Sequence, residues 1–305
     1  MNGAPLSVAP LAVPPVDPAD WPEGWRGPMR AALWWARAMP RGKGWVPRWV
    51  GRHWCAGRRS SLRTRGGARL AIDPSCLDIY TTIATHGNAW DAHVVDACLA
   101  LLRPGDVFYD VGASVGYITL EAARRVGERG RVIAFEPQPS LARHIAVSAA
   151  LNGMRSVAVF PAMLGSEEGE GVLHVGAHSV HASAIAREPG AAAVACARTT
   201  LDALVASGAI PPPNVIKVDV EGAELQVFEG ARRTLARFRP ALVFESDANM
   251  DRYGYRRAEL LALLGSCAGY RFYFLTDAGE RLPVGPGAIE DRRHADLLAL
   301  PPGVS

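Results

Sequence analysis

The chain has 305 residues, of which 49% are hydrophobic, so it has enough apolar material for a sizeable core and complete disorder is excluded. Its net charge of +3 hides an asymmetry: residues 1–65 carry 11 basic against 3 acidic side chains, and residues 66–305 carry 22 against 27. Five cysteines without CxxC spacing point to a reducing compartment and to neither a disulfide framework nor a zinc site.

The first eighteen residues lack a basic n-region and are broken by prolines, and no stretch approaches eighteen uninterrupted apolar residues. Neither secretion nor membrane spanning is expected, and a cytoplasmic setting follows. Residues 1–24, rich in Pro and Ala, read as mobile.

Residues 26–60 mix Arg with Trp. Seven of the eight tryptophans (21, 25, 34, 35, 45, 49 and 54) lie before residue 60. Such a basic, aromatic arm offers peripheral contact with an anionic membrane at its inner face, or contact with a partner protein. Packing across the body is the plainer alternative. Charge alone also admits nucleic acid, but no specific nucleic-acid motif is present.

A single α/β-sized body, residues 61–305, follows this 1–60 extension. LRTRGGARLAIDP has short β-like runs about a Gly-Gly turn. Residues 90–102 carry a helical stripe of Val94, Val95, Cys98, Leu99 and Leu102. After Pro104-Gly105-Asp106, strands and helices alternate: VFYDVG, a helix over 116–126, VIAFEP, a helix over 139–151, and VAVFPAML. VIKVDV (215–220) and ALVFE (241–245) are further strands, separated by a helix over 223–236. YRFYFL (270–275), a turn at 277–279 and ERLPV read as an antiparallel C-terminal hairpin. The pattern predicts an α/β fold with a doubly wound, mostly parallel sheet over a core of 85–285. A substrate-side insertion spans 165–213, with two or three short strands and a helix after Thr200; a connection of that length in a compact domain is usually functional.

The turn DVGASVG, after the first strand of the alternation, occupies the place where open α/β sheets bind ligands. Gly112 allows a sharp bend and Gly116 opens the next helix. The middle glycine of a dinucleotide GxGxxG is absent, and Asp110 would repel a pyrophosphate but attract an ammonium or sulfonium. Glu136, ending the next strand, suits ribose hydroxyls. A cation at one end and a ribose at the other describe S-adenosyl-L-methionine.

RPGDVFYDVGASVGYITL, VIAFEPQP, TTLDAL and VIKVDVEGAELQVFEGA together resemble the FkbM family of S-adenosylmethionine-dependent methyltransferases, over about residues 85–246. The resemblance implies a class I, Rossmann-like methyltransferase fold with Asp110, Gly112, Ser114 and Gly116 around the methionine part of the cofactor and Glu136 at its ribose. It also implies O-methylation of a sugar, glycan or secondary-metabolite hydroxyl. Ser114 departs from the Asn often found in the family at that turn.

Activation of a hydroxyl calls for a general base. Asp219 and Glu221, at the mouth of the VIKVDV strand, are the first candidates, with Asp219 nearer the methyl. Glu221 and Glu224 also suit the first turn of a helix. His181, in the insertion with His174 and His178, is a further catalytic candidate. Glu245 and Asp247 reach the cleft or a solvated loop, and no compact motif supports a metal. A NAD(P)-dependent oxidoreductase and a non-catalytic, cofactor-binding scaffold are the alternative functions.

Overall fold

The computed structural model describes residues 8–24, 31–32, 34–35, 49–50, 59–72, 80, 82–83, 90–175, 182–185, 192–285, 287–290 and 292–304. Most of the Arg/Trp arm, with its expected membrane or partner contact, therefore lies outside the described residues, and so does His181. Among the described residues, no helix is long and apolar enough to cross a membrane.

A small hairpin of β1 (Ser61–Arg63) and β2 (Arg69–Ala71) forms about the Gly-Gly turn. Helix α1 (Ala92–Leu101) buries Val94, Val95, Ala97 and Cys98; Leu99 is only half-buried. The alternation follows as read: β3 (Val107–Val111), α2 (Tyr117–Val126), β4 (Arg131–Phe135), α3 (Pro139–Leu151) and β5 (Val157–Phe160).

VAVFPAML is not one strand. Pro161, which has no N–H to give a ladder, separates β5 from β6 (Ala162–Leu164), and β6 leaves for a second sheet. There the insertion adds β7 (Gly169–Val175), β8 (Ala182–Ser183) and β9 (Ala192–Thr199), in the order β6-β9-β7-β8. Thr200 caps the expected helix α4 (Leu201–Ala206) by accepting the Ala203 N–H at 3.0 Å.

Past β10 (Val215–Val218), the single helix expected over 223–236 is two, α5 (Glu224–Glu229) and α6 (Arg232–Phe238). The break falls at Gly230, where an added Cβ would stand 2.0 Å from the Gly165 carbonyl oxygen. Asp202 joins the pieces across 30 residues. Its carboxylate accepts the backbone N–H groups of Arg233 and Thr234 and the Thr234 hydroxyl, so it caps α6 from α4. The TTLDAL and VFEGARRT stretches thus recognise each other.

The chain continues through β11 (Ala241–Asp247), a 3-10 turn at Ala248–Tyr253, α7 (Arg257–Ala268), β12 (Arg271–Leu275), β13 (Arg281–Pro283) and β14 (His294–Leu300). The large sheet runs β13-β12-β14-β11-β10-β3-β4-β5. Its β5-β4-β3-β10-β11 portion is parallel. The expected hairpin of β12 and β13 forms, but at the sheet edge; β14, unread in the sequence, inserts antiparallel between β11 and β12. HADLLAL is rich in Ala and Leu, whose strand preference is weak, so its pairing comes from burial against both neighbours.

Residues 8–24, though largely exposed, touch the body at several points. Leu11 donates its N–H to the Val159 carbonyl on the edge strand β5, Glu23 bridges Ser61, and Trp21 is buried with Ala71 and Leu151. A proline-rich strap on an exposed edge leaves few N–H groups to recruit another strand.

Strand alternation divides the core. Phe108, Val215 and Val243 face the layer of α1, α2 and α3, while Tyr109, Ile216 and Phe244 face the other layer, with Leu235 of α6 and Leu264 of α7. By the same parity Asp110, Lys217, Asp219, Glu245, Asp296 and His294 share the α1 side at the ends of β3, β10, β11 and β14. That row of polar residues marks the site.

Candidate active site

The register pairs Asp110 of β3 directly with Lys217 of β10. Both are buried, and Lys217 Nζ lies 3.5 Å from Asp110 Oδ1, 3.3 Å from Asp219 Oδ2 and 2.9 Å from the Gly112 carbonyl oxygen it donates to. Burial alone would lower the ammonium's pKa, but Asp219 and Asp110 outweigh it and the pKa is raised, so Lys217 stays charged. Against one cation stand two carboxylates. The surplus negative charge suits a cationic ligand.

Asp110 Oδ2 accepts the Thr119 hydroxyl at 2.6 Å, whereas Asp110 Oδ1 is buried without a hydrogen-bond partner among the described residues. A buried, unsatisfied carboxylate oxygen is costly. Asp110 is among the residues around a cavity beyond the carboxyl ends of β3 and β4, with Gly112, Ser114, Glu136, Met163 and Asp219.

Ser114 has φ +52° and presents its N–H to Glu136 Oε2 at 2.8 Å; Glu136 Oε1 accepts the Gln138 N–H at 2.9 Å. Burial pushes the Glu136 carboxyl up to about 7, although both N–H bonds favour its charged form. Glu136 therefore shapes the turn as well as facing the cavity. The apolar walls include Phe135, Leu164 and Leu173.

The two glycines also serve packing, and Gly116 opens α2 as expected. An added Cβ at Gly112 would stand 1.8 Å from the Asp219 carbonyl oxygen, so this glycine lets the ends of β3 and β10 meet. At Gly116, φ +84°, an added Cβ would press on Ile145 at 2.9 Å. Gly116 does not line the cavity; it lets α2 pack on α3.

The strand β10 ends in a second built turn. Glu224 Oε1 accepts the N–H groups of Val220 and Gly222 at 3.0 and 3.2 Å, and burial pushes its carboxyl up to about 8. Glu224 thus folds the 220–222 loop, beyond serving a first helical turn. The chain reverses at Glu221, φ +60°, and Gly222, φ +105°. Glu221 is reached by Asn249 Nδ2 at 3.4 Å, and it lines the cavity with Asp219.

Trp90, Lys217, Asp219 and Glu221 also wall a second, adjoining cavity, with Glu245 and His294 on its far side. Since Val218 pairs with Phe244, the next residues, Asp219 and Glu245, emerge side by side. Burial, and after it the neighbouring Asp219 charge, raise the Glu245 pKa strongly, which favours a protonated Glu245 beside an ionised Asp219. Asp219 and Glu221 both line the two cavities, whereas Asp247 pairs across β11 and β14 with His294 and caps the turn after it. Lys217, Glu245 and His294 complete the group. Lys217 was legible as a lysine inside an apolar strand of a chain with only two lysines. Among the described residues, no group of three or more His, Cys, Asp or Glu is arranged to hold a metal ion.

The negative surplus at Asp110 and Asp219 could hold the cationic end of S-adenosyl-L-methionine, and the Glu136 carboxyl could hold its ribose. Comparison with known proteins agrees. Residues 110–272 match the methyltransferase FkbM domain. The hexuronic acid methyltransferase AglP of Haloferax volcanii is 29% identical over 142 residues, 47% of this chain and 56% of that protein, so the chain spans little more than half of this curated relative. Similar solved structures include the methyltransferase FkbM of Methylobacillus flagellatus KT (15% identity, 75% of this chain and 55% of that one, TM-score 0.42). Another is the S-adenosylmethionine-dependent O-methyltransferase of Thermotoga maritima (14%, 80% and 78%, TM-score 0.41). With the FkbM domain matched over more than half its length, the chain belongs to the FkbM methyltransferases, and S-adenosyl-L-methionine is its expected cofactor.

Proposed function

We propose that this methyltransferase acts on oxygen, at a hydroxyl of a sugar, glycan or secondary metabolite. The observation that carries the reading is the meeting of the two cavities at Asp219: a side chain on the shared wall reaches both the cofactor side and an acceptor side. Family membership sets aside the oxidoreductase alternative.

Bound S-adenosyl-L-methionine supplies an electrophilic methyl on a cationic sulfur. The chain's own residues supply alignment and a proton acceptor. Holding an acceptor oxygen in line is worth several powers of ten in rate. Asp219 takes the hydroxyl proton, Lys217 holds the Asp219 carboxylate in place, and Glu221, on the same loop, faces the acceptor. Asp110 and Glu136 bind and orient and take no proton from the acceptor.

The second cavity bears Asp91, Asp219, Glu245, Asp277 and Asp296 against Lys217 and Arg292. That excess disfavours an anionic acceptor group, so a neutral hydroxyl is preferred to a uronic carboxylate. The relative named for a hexuronic acid keeps a sugar acid among the candidates, methylated at a hydroxyl.

The test uses methyl-labelled S-adenosylmethionine with glucose, glucuronic acid and a panel of glycans. Alkali-stable label in an acceptor supports ether formation at a hydroxyl. Label freed by mild alkali marks a carboxylate ester and overturns the reading, and so does cofactor binding with no acceptor labelled, which fits a scaffold. Asp219→Asn should lower turnover roughly 100-fold with cofactor affinity kept within a few-fold. Unchanged turnover removes the assigned base.

A further inference from the structure

Each methyl transfer to a hydroxyl leaves one proton behind, and Asp219 cannot hold it and act again. The row of polar side chains beyond Asp219 leads outward. Asp219 and Glu245 directly follow the paired Val218 and Phe244 and so stand side by side, Glu245 Oε1 lies 2.9 Å from His294 Nδ1, and the His294 side chain is 61% exposed. Asp296, which pairs with Glu245 in register, stands 3.7 Å from His294 Nε2 and 2.7 Å from His93 Nε2. Glu245 is thus a carboxyl between the wall of the reaction cavity and an imidazole in water.

We propose that Glu245 and His294 are the proton exit of the active site: the proton lost by the acceptor hydroxyl enters at Asp219 and leaves through Glu245 and the His294 imidazole. The inference rests on the hydroxyl-acceptor reading above. In the resting pair the proton lies on Glu245, because Lys217 stands beside Asp219 and favours its anion. As the acceptor oxygen gives its proton to Asp219, the Glu245 proton passes to His294 Nδ1. The proton on Asp219 then passes to Glu245, His294 gives one proton from Nε2 to water, and the exposed imidazole returns to its Nε2–H tautomer by exchange with water. One proton enters and one leaves, with no bond order changed in the carboxyls. Glu245 and His294 act through Asp219 and are positioning residues for proton flow.

The groups around Glu245 are Asp219 and Lys217 from β10, Asp247 from β11, His294 and Asp296 from β14, Asp91 and His93 at the start of α1, and Glu224 of α5. Of these groups His294, in direct contact with Glu245, is the most exposed imidazole, and Asp219 itself is exposed on the cavity side.

The full chain is titrated from pH 5 to 10 by imidazole nitrogen NMR in wild type, Glu245→Gln and Asp219→Asn, without acceptor. The His294 midpoint should move by about half a unit or more in both variants. Asp219→Asn is the decisive one, since a shift there is read through Glu245; an unmoved His294 midpoint in Asp219→Asn overturns the relay. With the acceptor labelled in the preceding assay, His294→Ala should lose about tenfold in kcat at pH 7 and recover with added imidazole. Loss without recovery, or no loss, also overturns it. If wild type labels no acceptor, the hydroxyl reading fails by itself, and the titration still decides whether the carboxyl pair and His294 are coupled.

Discussion

Asp202 Oδ1 accepts both the backbone N–H and the hydroxyl of Thr234, each at 2.7 Å, and so ties the start of α4 to the start of α6. Its other oxygen takes the Arg233 N–H at 3.0 Å. Asp202→Ala leaves these buried donors unpaired and should cost about 2–3 kcal/mol in urea unfolding, with cofactor affinity of the folded protein retained. Asp202→Asn keeps an acceptor and should lose less. Equal stability of Asp202→Ala and wild type would contradict the long-range cap.

Ser114 holds φ +52°, a left-handed conformation that costs most residues energy and that Asn tolerates well. The resemblance noted from the sequence places Asn at this turn. Ser114→Asn should therefore stabilise the protein by roughly 0.5–1 kcal/mol, read as a rise in melting temperature, with the Glu136 contact to the backbone N–H unaffected.

Glu136, the residue proposed to meet the ribose, also supports the Ser114 and Gln138 N–H groups. Calorimetric titration with S-adenosylmethionine should show Glu136→Ala binding about 10- to 100-fold more weakly. Glu136→Gln, which can accept only through one oxygen, should fall between. Undiminished affinity in Glu136→Ala would place the ribose elsewhere.

Stability should decline with rising pH near neutrality. Burial raises the Glu136 and Glu224 carboxyls to about 7 and about 8, so the native chain holds more protons than the unfolded chain between about pH 4.5 and 8. The contribution is fully present below pH 4.5 and is lost as the pH passes through 7 and 8. Glu224→Gln keeps an acceptor for Val220 and Gly222 and cannot ionise. Its unfolding free energy should depend less on pH over that window than wild type's; an identical slope would show that Glu224 ionises normally.

Much of the cofactor half was legible in the chain. VFYDVGASVG and VIAFEP name a strand, a turn and a strand-ending carboxyl by local rules, and β3, α2, β4 and α3 lie where the periodicity puts them. Asp110 and Glu136 were readable because an acid ending an apolar strand has few structural uses. The glycines were readable as special but not in their packing: Gly112 answers to the Asp219 carbonyl and Gly116 to Ile145, contacts made 107 and 29 residues away.

The acceptor half was legible only in part, because its residues come from strands adjacent in space and far apart in the chain. Asp219 ends an apolar run and announces itself. Glu245 and His294 gain meaning only once β14 inserts beside β11 and the register sets one near the other, and nothing local in HADLLAL demands that pairing. By itself the sequence determined the family, the cofactor turn and the order of strands, since these follow from short-range patterns of polarity and glycine. The tertiary structure decided which acids stand together, which lysine lies between Asp110 and Asp219 and which histidine meets the water, since those depend on strand order and on burial.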